Sequence, residues 1–290
     1  MAKTKSRKGK DKGRGKAGPR PPVKPYRPRL TRKELDDILT FAKGLARASG
    51  ALALSYYGRA NPALRYDAAL VTEADLAVQD YIRGEVHSTY PDHRFLGEEG
   101  EVMPDDRDEQ EPLWVVDPVD GSASFSAGMP VWAVSICLFD GVRPVLGTIH
   151  LPVTGELYSA VAGKPAMLND REIRVIDEAV DNESLLLTYS RFHSEFTTHF
   201  PGKVRSLGST AAHMAYVARG AAGGALLGNV HVWDIAAGLV ILEAAGGVVR
   251  DLGGGKIDLH HFLDRGRIDR ILLAVPSGQH RELADTLQAR

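Results

Sequence analysis

The segment WVVDPVDGSASF, residues 114–125, decides how this chain is interpreted. The apolar run at residues 113–116 is typical of a buried strand, whose end delivers side chains into a crevice. Asp117 and Asp120 then flank a proline, and Gly121 follows. Taken alone, DPVDG is typical of a plain turn, because Pro fixes φ, Asp bonds its own backbone and Gly accepts a positive φ. Such a turn would aim both carboxylates at one point.

Three further acidic segments surround this one: VTEAD, which ends at Asp75; GEEG, with Glu98 and Glu99; and VWD, which ends at Asp234. Each has an ordinary explanation by itself, since Asp75 in the first turn of a helix meets the helix dipole and Asp234 could simply cap a helix. Carboxylates from separate segments repel one another unless a cation lies among them, and such hard oxygen ligands suit Mg²⁺ or Mn²⁺. The segments together indicate a metal-dependent hydrolase.

The same residues carry a family resemblance. WVVDPVDGSASF, preceded by GEEG and followed by VWDIAAGLVILEAAGG, resembles the inositol monophosphatase family of Mg²⁺-dependent, lithium-sensitive phosphatases, from about Thr31 to the C-terminus. The resemblance implies a layered α/β/α/β/α sandwich of the inositol monophosphatase and sugar phosphatase type, with the active site between two lobes. It also implies a homodimer that acts on a small phosphorylated polyol.

The resemblance further implies two or three Mg²⁺ ions, for which Mn²⁺ could substitute. Glu98, Asp117 and the backbone carbonyl of Val119 would hold the first ion. Asp117 would bridge to a second ion held by Asp120 and Asp234, and Glu98 would also face a third, looser ion. Such cations neutralise the charge of a phosphate monoester, activate water and stabilise the departing alkoxide.

Three residues are expected to act in catalysis: Asp75, Ser122 and Glu98. Ser122 stands where the family has Thr, and its hydroxyl can pass a proton toward Asp75 while its oxygen orients the attacking water. Glu98 would assist through metal-bound water. A covalent role for Ser122 is disfavoured, because the chain has neither a G-x-S-x-G elbow nor a nearby His base. The backbone N–H groups of Gly121 and Ser122 would hold the phosphate. The residues expected to contact the substrate are Asp120, Gly121, Ser122, Thr210 and Asp234.

Several positions depart from the family pattern. Inositol-specific members have a Glu where ungapped alignment places Leu227, and leucine cannot accept a hydrogen bond from a polyol. Ser124 replaces a usual Asn, Thr210 replaces a small Ala, and Ala123 stands where the nucleotide phosphatases carry Lys. We expect inositol monophosphate or a related polyol phosphate as substrate, with histidinol phosphate and fructose bisphosphate as alternatives. Arg205 could bind a second anionic group, or a surface acid or carbonyl.

Two residues lie close in sequence to the candidate metal ligands and are interpreted separately. Glu99 is either a partner of the metal ligands or a solvated charge. His231, three residues before Asp234, is interpreted as structural rather than as a ligand.

The apolar spacing predicts two helices, one from Thr31 to about Tyr57 and one that Thr72 caps and that ends at Tyr90. Short strands are predicted at 93–96, 113–116, 131–139, 142–150 and 156–160, with a hairpin at Asp140-Gly141. In the second half, strands at 185–189, 203–206, 225–227, 248–250 and 271–275 are interleaved with helices at 209–219, 234–245 and 277–288. We expect an N-terminal lobe at 31–180 and a C-terminal α/β lobe at 181–290.

Residues 1–30 differ from the rest of the chain. They hold twelve Lys or Arg against one Asp, a balance of +11 in a chain of net charge −1. Repeated Gly and Pro with few large apolar side chains predict disorder. The segment is either an arm that contacts nucleic acid, because its cations release counterions from phosphates, or a solubilising extension. The basic start has no apolar stretch of a signal peptide after it.

The chain as a whole has the composition of an ordinary globular protein, with 43% hydrophobic and 25% charged residues. The single cysteine, Cys137, lies in an apolar stretch that predicts a buried strand residue. No apolar run approaches the ~20 residues that a membrane span needs. We therefore expect a cytoplasmic protein.

Overall fold

The computed structural model describes residues 28–58, 63–64, 70–71, 73–99, 110–176 and 178–290. The helices in these ranges are α1 Arg32–Leu54, α2 Glu73–Thr89, α3 Ser122–Ser126, α4 Phe192–Glu195, α5 Thr210–Ala218, α6 Val232–Ala244 and α7 His280–Asp285. A short 3₁₀ helix lies at Leu259–Phe262.

The strands of the first half are β1 Ala63–Leu64, β2 Leu70–Val71, β3 Arg94–Gly97, β4 Leu113–Asp120, β5 Ala133–Asp140, β6 Arg143–Leu151, β7 Glu156–Val161, β8 Ala166–Leu168 and β9 Arg171–Ile173. Those of the second half are β10 Leu185–Thr188, β11 Phe196–Thr198, β12 Lys203–Arg205, β13 Gly224–Leu227, β14 Gly247–Asp251, β15 Leu272–Pro276 and β16 Leu287–Ala289.

Two large sheets organise the molecule. The first has seven strands in the order β3-β4-β5-β6-β7-β8-β9, with β3 and β4 parallel and every other pair antiparallel. The second has five strands in the order β12-β10-β13-β15-β14, in which β12, β10 and β13 are parallel. β15 runs antiparallel to both of its neighbours. Two short antiparallel pairs, β1–β2 and β11–β16, lie apart from these sheets.

Three apolar clusters hold these layers together. The first joins α1 and α2 to one face of the seven-stranded sheet. The second lies between the two sheets and contains α5 and α6. The third covers the outer face of the five-stranded sheet with Phe192 of α4 and Leu283 of α7. Because burial of these apolar faces is the main favourable term in folding, the layers stack as α/β/α/β/α, the architecture that the resemblance implied.

Helix α6 lies in the middle of this stack. Its residues are apolar on all sides and most are buried, which is typical of a helix enclosed by protein. The helix lies directly on β6 at Gly147, where a Cβ would lie 2.5 Å from the carbonyl oxygen of Ala237. The close contact fixes the height of α6 above the sheet, and with it the position of the helix start.

Most predicted elements are confirmed, with shifted ends. Helix α1 begins at a capping box formed by Thr31 and Glu34 and ends at Leu54 rather than near Tyr57. The predicted cap Thr72 lies outside the described residues. The hairpin joins β5 and β6 through Gly141, whose φ is +58°. Cys137 is buried, as predicted.

Other predictions fail or stay open. The predicted helix 277–288 is wrong at its end, because β16 pairs with the distant strand β11 and Leu287 packs into the third cluster. The short strands β8, β9 and β11 were not predicted. The first 27 residues of the basic segment lie outside the described residues, and the division into lobes at 31–180 and 181–290 stays a prediction.

Candidate active site

Asp117 and Asp120 both lie on β4, and the prediction that the strand ends before Asp117 is wrong. Strand β4 continues to Asp120 and pairs with β5, with Asp117 opposite Ser135 and Asp120 opposite Ala133. Three steps along β4 therefore match two along β5, which is a β-bulge of one extra residue. Side chains three apart on a regular strand point to opposite faces, and the bulge restores them to one face. A proline is tolerated in this inner strand because it occupies the bulge.

Glu98 reaches the same place from the neighbouring strand. β3 and β4 are parallel, Gly97 pairs with Val116, and the N–H of Glu98 donates to the Val116 carbonyl at 3.1 Å. Glu98 thus follows the carboxyl end of β3 beside the position of Asp117 on β4. Ligands of open α/β sheets bind at such strand ends.

Asp234 is brought to the site by the start of α6. It is the third residue of the helix, and its Oδ2 accepts a hydrogen bond of 2.8 Å from the N–H of His231, the residue that caps the helix. A carboxylate at this position satisfies a helix N–H group and complements the helix dipole. His231 stacks on the Trp233 ring with 4.7 Å between the ring centroids.

Three of these side chains form a compact acidic cluster. Asp117, Asp120 and Asp234 each offer a carboxylate oxygen, and these three oxygens lie within 4.8 Å of one another. Asp117 and Asp120 are buried and Asp234 is partly buried. Asp117 and Asp120 share one segment of the sequence, and the fold brings Asp234 to them from a separate one.

The electrostatics of the cluster favour a cation. Burial raises the pKa of Asp117 well above its ordinary value, and the nearby charges of Glu98, Asp120, Asp234 and Asp75 raise it further. Burial, followed by the charges of Glu98 and Asp120, likewise raises the pKa of Asp234. A divalent cation would remove this repulsion, and hard carboxylate oxygens are the ligands that Mg²⁺ and Mn²⁺ take. The residues present therefore fit such a metal.

Asp120 is also bound by the start of α5. Its Oδ2 accepts hydrogen bonds from the hydroxyl of Ser209 at 2.5 Å and from the N–H of Ala211 at 2.6 Å. Burial raises the pKa of Asp120 to about 6, and the hydrogen bonds from Ser209, Ala211 and the Thr210 backbone oppose this rise. Ser209 also caps α5 by accepting from Ala212. One oxygen of Asp120 is thus fixed by protein donors.

Ser122 and Asp75 are in direct contact. The Ser122 hydroxyl lies 3.2 Å from Oδ1 of Asp75 and 3.1 Å from the carbonyl oxygen of Val119. Asp75 is fully buried in the first turn of α2, and its charge is felt at Asp117. Ser122 begins α3 directly after the bulged end of β4. The pair therefore borders the acidic cluster.

Gly121 makes this turn possible. Its φ is +96°, and a Cβ here would lie 2.9 Å from the carbonyl oxygen of Gly208 and 3.2 Å from Cβ of Ser209. Only glycine accepts both the left-handed backbone and the close approach. The turn between β4 and α3 consequently packs directly against the segment that begins α5.

The structure also resolves several secondary expectations. Glu99 is buried, so its interpretation as a solvated charge is wrong. Arg205 is exposed and donates to the Val204 carbonyl at 2.8 Å, one of the two alternatives considered. Thr210 is the first residue of α5 and is half-buried. Leu227 is buried on β13 within the cluster between the sheets.

Two residues of the site, Gln79 and Arg265, were missed by sequence reasoning; the helix that opens at Ser209 was expected beside the substrate pocket, but its hydrogen bond to Asp120 was not. Gln79 binds both backbone groups of Glu99, accepting from its N–H at 2.8 Å and donating to its carbonyl at 2.9 Å. Arg265 donates to the carbonyl oxygens of Gly97 and Glu99. Gln79 lies one helical turn after Asp75 and could have been noticed by that spacing. Nothing in the sequence connects Arg265 to the acids, or Ser209 to Asp120 in particular.

Comparison with known proteins supports the same interpretation. The inositol monophosphatase family profile matches residues 34–287. The fructose-1,6-bisphosphatase/inositol-1-monophosphatase of Thermotoga maritima is 33% identical over 227 residues, which cover 75% of this chain and 86% of the relative. The Nus factor SuhB of Xylella fastidiosa is 34% identical over 206 residues, covering 67% of this chain and 73% of the relative.

A solved structure agrees with the fold. The Thermotoga maritima IMPase superposes with a TM-score of 0.75 at 28% identity, over 86% of this chain and 96% of that one. Fold and site together define a layered α/β phosphatase with a buried acidic centre that could hold a metal. The chain belongs to the inositol monophosphatase family and is a phosphoric monoester hydrolase. Within the part of the chain that the structure describes, no helix has the length and apolar character needed to cross a membrane.

Proposed function

We propose that this chain is a Mg²⁺-dependent phosphomonoesterase that hydrolyses inositol monophosphate or a related small polyol phosphate to the alcohol and inorganic phosphate. The observation that carries the proposal is the convergence of Asp117, Asp120 and Asp234 within 4.8 Å, beside the Ser122–Asp75 pair. A carboxylate cluster next to a hydroxyl–carboxylate pair suits hydrolysis of an anionic ester by water.

The metal ligands would be Glu98, Asp117, the Val119 carbonyl, Asp120 and Asp234, with Asp117 shared between two ions. Bound Mg²⁺ would supply charge neutralisation of the phosphate and a more acidic water. Asp120 already has one oxygen fixed by Ser209 and Ala211, so its other oxygen has a defined direction. This preorganisation supports the ligand assignment.

Ser122 and Asp75 would position and deprotonate the attacking water. The hydroxyl of Ser122 has one proton, and its 3.2 Å approach to Asp75 lets it donate there. Its oxygen lone pairs then accept a hydrogen bond from water. A proton can pass from water through Ser122 toward the buried carboxylate of Asp75.

The backbone around Gly121 would receive the phosphate. The turn at Gly121 and Ser122 has no side chain beyond a small hydroxyl, so an anion can approach its N–H groups closely. The starts of α5 and α6, at Thr210 and near Asp234, add partial positive charge on the same side. These features support Asp120, Gly121, Ser122, Thr210 and Asp234 as the residues that contact the substrate.

The residues of the site indicate the phosphate group of the substrate more closely than its alcohol group. Leu227 is buried and apolar, so it gives no hydrogen bond to a polyol ring. Related proteins are named for inositol monophosphate and for fructose 1,6-bisphosphate. We therefore propose a small polyol phosphate, with fructose bisphosphate and histidinol phosphate as alternatives.

Phosphate release from a panel of phosphorylated polyols in the presence of Mg²⁺ tests this function. The panel should include inositol 1-phosphate, fructose 1,6-bisphosphate and histidinol phosphate, with EDTA-treated protein and Asp117→Asn as controls. Turnover of at least one ester that EDTA abolishes is expected. Absence of turnover on every ester, in protein shown to contain bound metal, would refute the proposal.

A second role in nucleic-acid binding is favoured by one sequence observation. Residues 1–30 carry a net charge of +11, and two relatives are named Nus factors. We propose that this segment binds RNA through its Lys and Arg side chains, in a cytoplasmic homodimer. RNA affinity should fall steeply with salt and disappear when residues 1–30 are deleted. RNA binding that does not depend on salt, or no RNA binding at all, would contradict this role. Light scattering on the purified protein would test whether it is a dimer.

A further inference from the structure

We propose that Arg265 is a positioning residue that holds Glu98 in place relative to Asp234 and thereby sets the affinity of the centre for its divalent cation. This inference rests on the proposed function, because it assumes that Glu98 and Asp234 are metal ligands. Arg265 itself touches neither substrate nor metal in this account.

The first observation is the contact between Arg265 and the segment that carries Glu98. Nη2 of Arg265 donates to the carbonyl oxygen of Gly97 and, at 3.2 Å, to that of Glu99. These are the residues on either side of Glu98. One guanidinium nitrogen thus holds both ends of the short backbone segment on which Glu98 lies.

The second observation is the contact between Arg265 and the start of α6. The guanidinium carbon lies 5.7 Å from the centroid of the Trp233 ring, a cation–π distance. Trp233 is buried and precedes Asp234 in the helix, and its ring stacks on His231. The N–H of His231 in turn donates to Asp234. Arg265 therefore contacts both the segment that carries Glu98 and the start of the helix that carries Asp234.

The third observation is that Gln79 also binds Glu99. Its side-chain amide bonds both the N–H and the carbonyl of Glu99, so that this carbonyl accepts from Gln79 and from Arg265. Gln79 lies one turn after Asp75 on the same face of α2. The segments that carry Asp75, Glu98 and Asp234 are consequently joined through two side chains, of which Arg265 is the link to α6.

The local backbone indicates that Arg265 is held in a definite geometry. Its φ is +66°, a left-handed conformation that residues other than glycine seldom adopt. Such a conformation persists where surrounding contacts determine it, and it is frequent at functional sites. The planar guanidinium can face Trp233 while Nη2 reaches two carbonyls; a lysine ammonium could donate to the carbonyls but has no planar face to lay on the ring.

Whether loss of the Arg265 side chain weakens or tightens metal binding distinguishes a positioning role from a purely electrostatic one. Removing a positive charge near the centre would, by electrostatics alone, tighten binding of a cation. Loss of positioning would weaken it, because Glu98 would no longer be held beside Asp117 and Asp234. Removal of groups that orient metal ligands typically costs about 10- to 100-fold in metal affinity.

The test measures Mn²⁺ binding to the full chain by electron paramagnetic resonance. The proteins compared are wild type, Arg265→Met, Arg265→Lys and the control Arg267→Met. Arg267 is exposed and donates to Asn229 and Asp269 instead. We expect about 10- to 100-fold weaker binding in Arg265→Met, an intermediate loss in Arg265→Lys and unchanged binding in Arg267→Met. The Mg²⁺ concentration for half-maximal activity should rise in parallel, while the KM for the ester stays near that of wild type.

Unchanged or tighter Mn²⁺ binding by folded Arg265→Met would overturn the inference. If circular dichroism shows that Arg265→Met does not fold, Arg265→Lys decides by the same criterion. Failure of the proposed function would look different, because the wild-type protein itself would then bind no Mn²⁺ or hydrolyse no ester of the panel. An active, metal-binding wild type with an indifferent Arg265→Met would refute only the role of Arg265.

Discussion

The hydroxyl of Ser122 lies 3.2 Å from Oδ1 of Asp75, a residue 47 positions earlier in the chain. The contact joins the first turn of α2 to the first turn of α3, next to the acidic cluster. Because the hydroxyl can donate to a fully buried carboxylate, we propose that the two groups act as one route for a proton rather than as two independent functions.

Removal of either member of this pair should disable the proton route. We expect Ser122→Ala and Asp75→Asn each to lower kcat by about 10²- to 10⁴-fold, with little change in KM, because general-base catalysis contributes that much. The double variant should be no worse than the poorer single variant, since groups that act as a unit are not additive. Ser122→Thr, which keeps the hydroxyl, is the control and should stay active. Multiplicative losses in the double variant would contradict the pairing.

Asp117→Asn should lower the activity of the protein without lowering its stability. Activity should fall by at least about 10²- to 10³-fold, because a ligand of the cation that would stabilise developing charge is lost. The metal-free protein should unfold at the same or a higher temperature, since the substitution removes a buried charge whose pKa is raised by its acidic neighbours.

Asp140→Ala provides the opposite pattern as a control. Asp140 is buried away from the cluster and accepts from the N–H groups of Arg29 and Leu30. Its loss should cost about 1–3 kcal/mol of stability and leave kcat unchanged. Comparable losses of activity and stability in Asp117→Asn would contradict its role as a ligand.

Gly121→Ala should harm the site more than Gly128→Ala. Both glycines have positive φ, at +96° and +70°, so each substitution carries a left-handed strain of about 1–2 kcal/mol. A Cβ at Gly128 meets nothing within 4 Å, whereas at Gly121 it would press on Gly208 and Ser209. Urea unfolding should therefore show the larger loss for Gly121→Ala, together with loss of activity through Ser209 and Asp120. Equal stabilities and activities of the two variants would argue against a close turn.

His213 should make the protein sensitive to acid. Burial lowers its pKa from 6.5 to about 4, and its Nε2 accepts from the N–H of Leu207 in the segment before Ser209. The unfolded chain binds a proton below about pH 6.5 and the folded one only near pH 4, so stability present at neutral pH is lost as pH falls across that interval. The loss should approach about 3 kcal/mol.

Urea unfolding of wild type and His213→Gln between pH 7.5 and pH 4 measures this effect, because the comparison cancels the other titrating groups. Wild type should lose stability relative to the variant as the pH falls. A difference that stays constant over the range would show that His213 does not titrate as its burial requires.

Local patterns explain what the sequence could predict. The spacing of apolar residues predicts α1, and a long apolar run predicts α6. The residue types at Asp140-Gly141 predict the hairpin. The approach of Glu98 to Asp117 was expected from the motifs, and parallel pairing of β3 with β4 accounts for it. The bulge in β4 could not be predicted, because DPVD has the composition of a turn and only its pairing with β5 makes it a strand.

Contacts between distant segments account for the rest. Ser209 binds Asp120 across 89 residues and Arg265 binds Gly97 across 168. Neither contact has a local pattern, because each depends on how the two sheets and their helices stack. β16 was mistaken for helix for the same reason, since its partner β11 lies far away in the sequence.

The most direct test of the account is the anomalous scattering of Mn²⁺ in crystals of the protein soaked with that ion. If these carboxylates hold the metal, at least one strong peak will lie among Asp117, Asp120 and Asp234, with Asp117 as a shared ligand where a second peak is present. Crystals that bind Mn²⁺ elsewhere, or not at all, while these three carboxylates keep only protein contacts, would contradict it.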